Sequence, residues 1–459
     1  MPNSLKFGTS GLRGLAADLV GAESRRYAAA FVSYLKTLGP VGEVLVGRDL
    51  RASSPEISAA VSGAIGASGA SAVDCGELPT PALALEALRR KAPAIMVTGS
   101  HIPADRNGLK FYSASGEIDK ADEAGILAAL GADPGSTGTA EAEPPALRRY
   151  RTRYGSMLPH GALRGWTVGV WEHSSVARDL LIEILDGYGA EVIALNRSDV
   201  FIPVDTEAVS GDTVTELAGW VHSHGLDALV STDGDADRPL LVDETGALIR
   251  GDLIGILTAK FVGADAAVTP VTSNSSIEGT GWFRQVIRTK VGSPYVIAGM
   301  GEGQGVVVGF EANGGVLLGS DVTLNGSTVT ALPTRDAMLP ILSVLGAARA
   351  AGQSLSQLTA TLPPRIARSD RLEHVPQERS AALLALLATD AAGFLKPQGT
   401  IKAMSSLDGM RFEFASGDVI HYRPSGNAPE LRCYTEASTA ERADELLAWG
   451  LKAAAGVVR

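Results

Sequence analysis

Cysteine is almost missing from this chain: Cys75 and Cys433 are the whole complement among 459 residues. Two distant cysteines build neither a disulfide framework nor a cysteine-ligated zinc cluster, and a reducing compartment, the cytoplasm, is the expected setting. Long hydrophobic runs are also lacking; none approaches the roughly 20 residues that span a bilayer. The opening Met1-Pro2-Asn3-Ser4-Leu5-Lys6 has no apolar signal core. A soluble protein with no membrane partner is expected. Positive charge is in deficit, 40 Lys and Arg against 51 Asp and Glu, for a net charge of −11. That balance argues against a general nucleic-acid binder, because nothing offsets phosphate repulsion over the whole surface, yet it leaves room for a basic pocket around a small anion. Aromatics are few and scattered, as core residues are. Two motifs are absent as well. The serine at position 100 lacks the G-x-S-x-G of a hydrolase elbow, and Gly299-Met300-Gly301-Glu302-Gly303-Gln304-Gly305 does not fit the G-x-G-x-x-G of a dinucleotide site.

What is present is an ordinary globular mix, 45% apolar and 20% charged, on a chain long enough for roughly three or four domains. Helical spacing from Gly21 to Leu38, a strand over Val44–Val46, a helix with proline in its first turn from Ser54 to Gly69, a strand over Ala94–Val97 and a helix after Asp122 form a first alternating block. Phe7 to Gly14 reads as a glycine-punctuated loop presenting Arg13, and Gly131 to Pro145 as a surface loop or linker. A second block has strands at Thr167–Trp171, Glu191–Leu195 and Ala228–Ser231 around a helix near Val176–Tyr188; a third starts near Asp252, with strands near Ala266–Thr269 and Val306–Phe310. The alternation predicts α/β layers on largely parallel sheets. After Leu362-Pro363-Pro364 the pattern turns α+β and ends in a helix opened by a capping box, Ser438-Thr439-Ala440-Glu441. The expected domains are 1–150, 151–254, 255–366 and 367–459.

Four segments carry chemistry. The strand Ala94–Val97 runs into Thr98-Gly99-Ser100-His101-Ile102-Pro103, so Ser100 sits on the turn leaving a buried strand, with His101 beside it and Lys110 further on. A serine hydroxyl needs activation or modification to react; a plain polar loop is the alternative. Asp233, Asp235 and Asp237 alternate after the next buried strand, which puts three carboxylates on one side of an extended backbone, with Gly234 allowing a tight turn. Their mutual repulsion calls for a hard divalent cation such as magnesium, with a solvated acidic turn as the alternative, and Arg238 adds a phosphate-orienting cation. Glu311 and Asn313 are spaced to grip sugar hydroxyls. Arg423, Ser425, Gly426, Asn427 and Arg432 form a turn that can hold an oxyanion, or else a solvated polar turn. His222 and His224 lack metal-ligating partners at useful spacing and read as structural.

These segments, in this order, resemble the α-D-phosphohexomutase family over essentially the whole chain. The serine stretch looks like its T-[AG]-S-H-N-P loop, residues 233–238 like its D-G-D-x-D-R loop, 311–315 like its E-x-[SN]-G loop and 423–432 like its R-x-S-G-T-E-P loop. The early S-G-L-R-G and Thr289-Lys290-Val291-Gly292 are also family-like. The resemblance implies a four-domain, heart-shaped molecule, three α/β domains with mixed sheets and an α+β fourth domain closing a central cleft. It implies that Ser100 is a phosphoserine exchanging phosphate with a sugar monophosphate through a hexose 1,6-bisphosphate. Asp233, Asp235 and Asp237, with the Ser100 phosphate, would hold Mg2+. Lys110 would be a general acid or base assisted by His101 and Arg13; Glu311 and Asn313 would read hydroxyls, and Arg423, Ser425, Asn427 and Arg432 would hold the distal phosphate. Small sugar phosphates are the implied partners, on a monomer or homodimer. The loops look most like bacterial phosphomannomutases, with phosphoglucomutase activity the close second and phosphoglucosamine mutase, a metal-dependent sugar phosphatase or a non-catalytic sugar-phosphate sensor further alternatives. The sequence departs from the family at Ile102, where an asparagine's hydrogen bonds are lost, at Ser293 and Gly315, where histidines occur, and at Asn427 and Ala428, for threonine and glutamate.

Overall fold

The computed structural model describes residues 4–8, 11–137, 141–142, 145–425 and 429–458. Three sheets repeat one plan. In the first, strand Glu43–Arg48 lies parallel between Ser71–Glu77 and Ala94–Val97, and Arg106–Ser113 then pairs antiparallel with Ala94–Val97. In the second, Thr167–His173 lies parallel between Glu191–Arg197 and Ala228–Thr232, with Pro239–Asp243 returning antiparallel. In the third, Ala266–Pro270 lies parallel between Gln285–Thr289 and Val307–Phe310, with Val316–Leu318 returning antiparallel. The sheets are therefore mixed rather than largely parallel. Each third strand is followed by a loop too short for a parallel crossover, so the next strand must reverse. Those loops are 98–105, 233–238 and 311–315. The serine, aspartate and glutamate segments thus occupy one equivalent position in three related domains, at the carboxyl ends of parallel strands where open α/β sheets place ligands.

The segment from Phe7 to Gly14 is not an irregular loop. Lys6–Gly8 and Gly11–Leu15 pair antiparallel, and Gly11–Leu15 continues onto Arg106–Ser113, which sets Arg13 opposite Gly108. Glycine conceals the strand from a periodicity argument, yet Gly11 is required there: at φ 115, a Cβ would lie 2.3 Å from the Leu109 carbonyl oxygen. Within the supposed linker, Glu141–Ala142 adds a parallel edge to Ser71–Glu77. The last helix, Ala440–Val458, is capped by Thr439, whose hydroxyl accepts the Arg442 N–H at 3.2 Å, one residue later than the expected Ser438.

The fourth sheet is wholly antiparallel, in the order Ile366–Glu373, Glu430–Ala437, Val419–Pro424, Met410–Phe414, Ile401–Ser405. Its covering helix Gln377–Leu395 is, with its extension to Gln398, long and apolar enough by length and composition to cross a membrane, against the sequence expectation. The helix backbone is broken at Asp390, and Leu383, Leu387 and Leu395 bury against Phe412, Phe414 and Tyr422, the arrangement of a helix covering a sheet.

One buried apolar cluster runs from Leu45 and Met96 through Val168 and Val230 to Ala267, Val308 and Leu342, so the three α/β domains share a continuous core. The fourth domain has its own. Polar contacts join it to the rest: Ser275 donates to Glu436 and the Val291 N–H to Asp408 at 3.0 Å. A polar interface of this kind permits relative motion that a shared apolar core resists.

Candidate active site

Ser100 adopts φ 54, a left-handed conformation that a non-glycine residue holds only when its surroundings enforce it. Arg51 enforces it. Its guanidinium, 1% exposed, donates to the carbonyls of Ser100, Ile102, Pro103 and Arg106 at 2.6–2.9 Å, pairs with Asp49 at 3.2 Å and lies 3.9 Å above the Phe201 ring. Asp49 in turn accepts from Thr98 at 2.7 Å and Ser54 at 2.6 Å. Gly99 passes so close that a Cβ would lie 2.6 Å from the guanidinium carbon. The Ile102 backbone therefore still contributes to holding the loop, through its carbonyl.

The Ser100 hydroxyl is buried and donates to Asp233 Oδ2 at 2.6 Å, with His101 Nδ1 3.2 Å away. Burial, then the positive Arg238 and Arg13, hold His101 far below its ordinary pKa, so its imidazole is neutral. Asp233, Asp235 and Asp237 are all within 1% exposure, and one carboxylate oxygen of each lies within 4.8 Å of the others. They converge by turning rather than by extension: Ala236 N–H donates to the Asp233 carbonyl and Ala236 takes φ 58, while Gly234 keeps an ordinary φ. Gly234 serves close approach instead, since a Cβ there would press on the Phe201 ring and the Ser100 carbonyl. Burial and repulsion from Asp235 and Asp237 push the Asp233 carboxyl well above its usual range. Asp235 Oδ1 and Asp237 Oδ1 are buried with no hydrogen-bond partner. An all-oxygen donor set with two orphaned buried carboxylate oxygens fits a hard divalent cation.

Lys110 Nζ donates to Asp235 Oδ2 and Asp237 Oδ2, each at 2.6 Å. Burial works against its charge, but the two carboxylates outweigh it and hold the ammonium protonated. Thr80, at the amino end of helix Thr80–Arg90, donates its hydroxyl to Asp235 Oδ2. Arg335 links the metal loop to the sugar loop, donating to Asp237 Oδ2 at 2.9 Å and to Glu311 Oε2 at 3.0 Å. Gly315 is explained by that arginine, because a side chain there would meet Arg335 Cδ at 2.7 Å. Asn313 Oδ1 accepts the Gly315 N–H, and the Asn313 carbonyl accepts the Thr206 hydroxyl at 2.8 Å. Ser293 is spent between domains, donating to Glu117 at 2.8 Å.

Arg13, Arg238, Arg335, Glu311 and Asn313 line one cleft, together with Glu207. Burial and the positive Arg238 and Arg335 push the Arg13 guanidinium down to about 10. On the fourth domain Arg423 donates to Asp408 at 2.8 Å and stands directly across from Arg432, while the Ser425 N–H donates to the Glu430 carbonyl. Gly426 and Asn427 lie outside the described residues. Arg51, Thr80, Arg335 and Glu207 were not legible as site residues: they stand alone, away from any motif. His222 is structural, its ring 3.1 Å from the Thr245 carbonyl.

The chain matches the phosphoglucomutase/phosphomannomutase family in four pieces: alpha/beta/alpha domain I over residues 4–134, domain II over 156–246, domain III over 250–366 and the C-terminal domain over 374–448. It is 49% identical to a phosphomannomutase of Sinorhizobium fredii, covering 97% of this chain and 98% of that one. It is 43% identical to a phosphomannomutase of Salmonella muenchen, covering 96% and 94%. A phosphoglucomutase/phosphomannomutase family protein from Burkholderia thailandensis has the same fold, with a TM-score of 0.80 over 98% of each chain at 22% identity. Four domain matches and two near full-length relatives place this chain in the phosphoglucomutase/phosphomannomutase family.

Proposed function

We propose that the protein is a phosphohexomutase, a phosphomannomutase in first place with phosphoglucomutase activity as the alternative, that interconverts hexose 1- and 6-phosphates through a phosphorylated Ser100 and a hexose 1,6-bisphosphate. The observation that carries this is the convergence of three equivalent loops: Ser100 bonded to Asp233, the aspartate cluster, and Glu311 tied to Asp237 through Arg335. The domains divide at 150, 254 and 366 in this reading. In the forward step the bond between the Ser100 oxygen and phosphorus breaks as a sugar hydroxyl forms its own bond to phosphorus; that hydroxyl loses its proton and the Ser100 oxygen gains one. The return step reverses this with the sugar turned end for end.

Lys110 is the general acid or base of the transfer, with His101, 3.2 Å from the Ser100 oxygen, and Arg13 assisting in the same cleft. Asp233, Asp235 and Asp237 would hold Mg2+, which when bound offsets charge on the transferring phosphoryl group. Arg13 and Arg238 line the cleft as cations for a phosphate, while Glu311 and Asn313 accept sugar hydroxyls. Arg423, Ser425, Asn427 and Arg432 hold the phosphate that is not reacting, so that its binding orients the end that is. A site that binds each sugar both ways round need not grip the C2 hydroxyl that distinguishes mannose from glucose.

The test is turnover of mannose 1-phosphate and glucose 1-phosphate, each with Mg2+ and a trace of hexose 1,6-bisphosphate, following 6-phosphate and free phosphate together. The expected result is 6-phosphate with little free phosphate and a higher kcat/KM for mannose. Stoichiometric free phosphate would make the protein a phosphatase, and binding with neither product would make it a sensor.

A further inference from the structure

Each of the three functional loops is tied to the strand beside it in the same place. In every α/β domain the strand that bears the loop lies parallel to the central strand, and one side chain at the end of the central strand bonds where the loop begins. In the first domain Asp49 accepts the Thr98 hydroxyl at 2.7 Å; in the third the Thr269 hydroxyl donates to the Phe310 carbonyl at 2.9 Å. In the second domain that place belongs to His173, whose Nε2 lies 2.9 Å from the Thr232 carbonyl, one residue before Asp233.

His173 makes that bond under strain. It takes φ 27, a left-handed backbone in a residue with no exposed surface, and such strain persists where the surroundings over-determine it, most often at functional sites. A carbonyl only accepts, so Nε2 carries the ring proton; Nδ1 is then an acceptor, buried with no hydrogen-bond partner among the described residues. The turn that follows adds two further ties. The Thr232 hydroxyl donates to the Asp233 carbonyl at 2.7 Å, so it must accept from Ser175, whose hydroxyl is 2.6 Å away and itself accepts the Ala177 N–H. The Val176 N–H donates to the Gly234 carbonyl at 3.1 Å. The successive carbonyls of Thr232, Asp233 and Gly234 are thus all fixed from one turn, and Asp233 and Asp235 project from the peptides so held.

We propose that the turn from His173 to Val176, with His173 as its positioning residue, seats the metal loop and so sets how tightly the aspartate cluster takes a divalent cation. This rests on the mutase reading above, in which those carboxylates hold Mg2+. Groups standing behind metal ligands change metal affinity by roughly tenfold or more when removed, although they never touch the ion.

The test titrates Mn2+, which takes the same oxygen ligands as Mg2+, into the full chain and follows the free ion by electron paramagnetic resonance. His173→Asn tolerates the left-handed backbone but shortens the donor, and is expected to weaken Mn2+ binding roughly tenfold. His173→Gln, whose amide nitrogen stands as many bonds from Cβ as Nε2 does, is expected to stay within about threefold of wild type. Ser175→Ala leaves both backbone ties in place and is expected to lose about threefold. Mannose 6-phosphate affinity, read calorimetrically without metal, stays at the wild-type value in each. Undiminished Mn2+ binding by His173→Asn overturns the proposal. So does an equal loss in His173→Gln, which would make the packing of the imidazole the cause and not its donated bond. Should His173→Asn fail to fold, Ser175→Ala decides, and an unchanged Mn2+ affinity there overturns the proposal. Wild-type turnover of mannose 1-phosphate keeps the two readings apart. An active wild type whose variants bind the ion as tightly overturns the role of the turn alone; a wild type that binds no Mn2+ contradicts the metal of the mutase reading as well.

Discussion

The two ends of the cleft are built with opposite charge. At the reacting end, Asp233, Asp235 and Asp237 gather on one buried loop, and the cations that answer them, Lys110 and Arg335, come from the first and third domains. At the distal end Arg371, Arg432 and Arg423 form a row on one sheet face, and the carboxylates that answer them, Glu373, Glu430 and Asp408, belong to the same domain. The first end is sealed in a core shared by three domains; the second sits on a domain with its own core and a polar junction. In the proposed reaction, the phosphoryl transfer that depends on sub-ångström placement falls to the end with the shared core, and the grip on the non-reacting phosphate to the domain with the polar junction.

That contrast orders the consequences of mutation. Ser100→Ala is expected to lower kcat by at least ~10⁴-fold, because no neighbouring group can replace the phosphate carrier, while calorimetric binding of mannose 6-phosphate survives; undiminished turnover would remove Ser100 from the reaction. Arg51→Met comes next. It leaves Asp49 buried without its cation and frees the serine loop, a loss of about 3–5 kcal/mol, read as an earlier first transition in urea together with loss of turnover. A stable, active variant would show that the loop holds its left-handed serine without the clamp. Arg423→Gln, at the adjustable end, is expected to raise KM roughly tenfold with a smaller change in kcat. An effect on kcat alone would place Arg423 at the reacting end and collapse the distinction.

A separate effect is on stability against acid. Burial holds His173 and His421 down to about 4, from an ordinary 6.5. The unfolded chain therefore binds protons that the folded chain refuses, so stability falls as pH drops from 6.5 toward 4 and is unaffected by these groups above that window. The slope is about 1.4 kcal/mol per histidine per pH unit. Urea midpoints of wild type and His421→Gln at about pH 7 and about pH 5 check it. A wild type and variant that lose the same stability would show that His421 does not contribute.

The sequence made legible whatever lies in a contiguous segment. Ser100, the aspartates and Glu311 each follow a strand and Arg423 lies near the end of one, and a strand followed by a polar, glycine-containing loop is readable from a single chain. Arg51, Thr80, Arg335 and Glu207 reach the site only by juxtaposition: Arg335 contacts Asp237 and Glu311 from 98 and 24 residues away in sequence. Nothing in its immediate neighbours signals this. The same blindness explains the strand around Arg13, where glycines required for close packing against Leu109 removed the alternation that identifies a strand. Gly234 shows the converse error, a glycine read as a turn whose purpose is to clear the Phe201 ring.

The account stands on phosphate moving between Ser100 and the sugar. The most direct measurement loads the enzyme with hexose 1,6-bisphosphate labelled in its phosphorus, maps the label by peptide mass analysis, and then chases with unlabelled mannose 1-phosphate. The account predicts label on the peptide containing Ser100 and its transfer, nearly complete, into sugar phosphate. Label on another residue, or its release as inorganic phosphate during the chase, would contradict it.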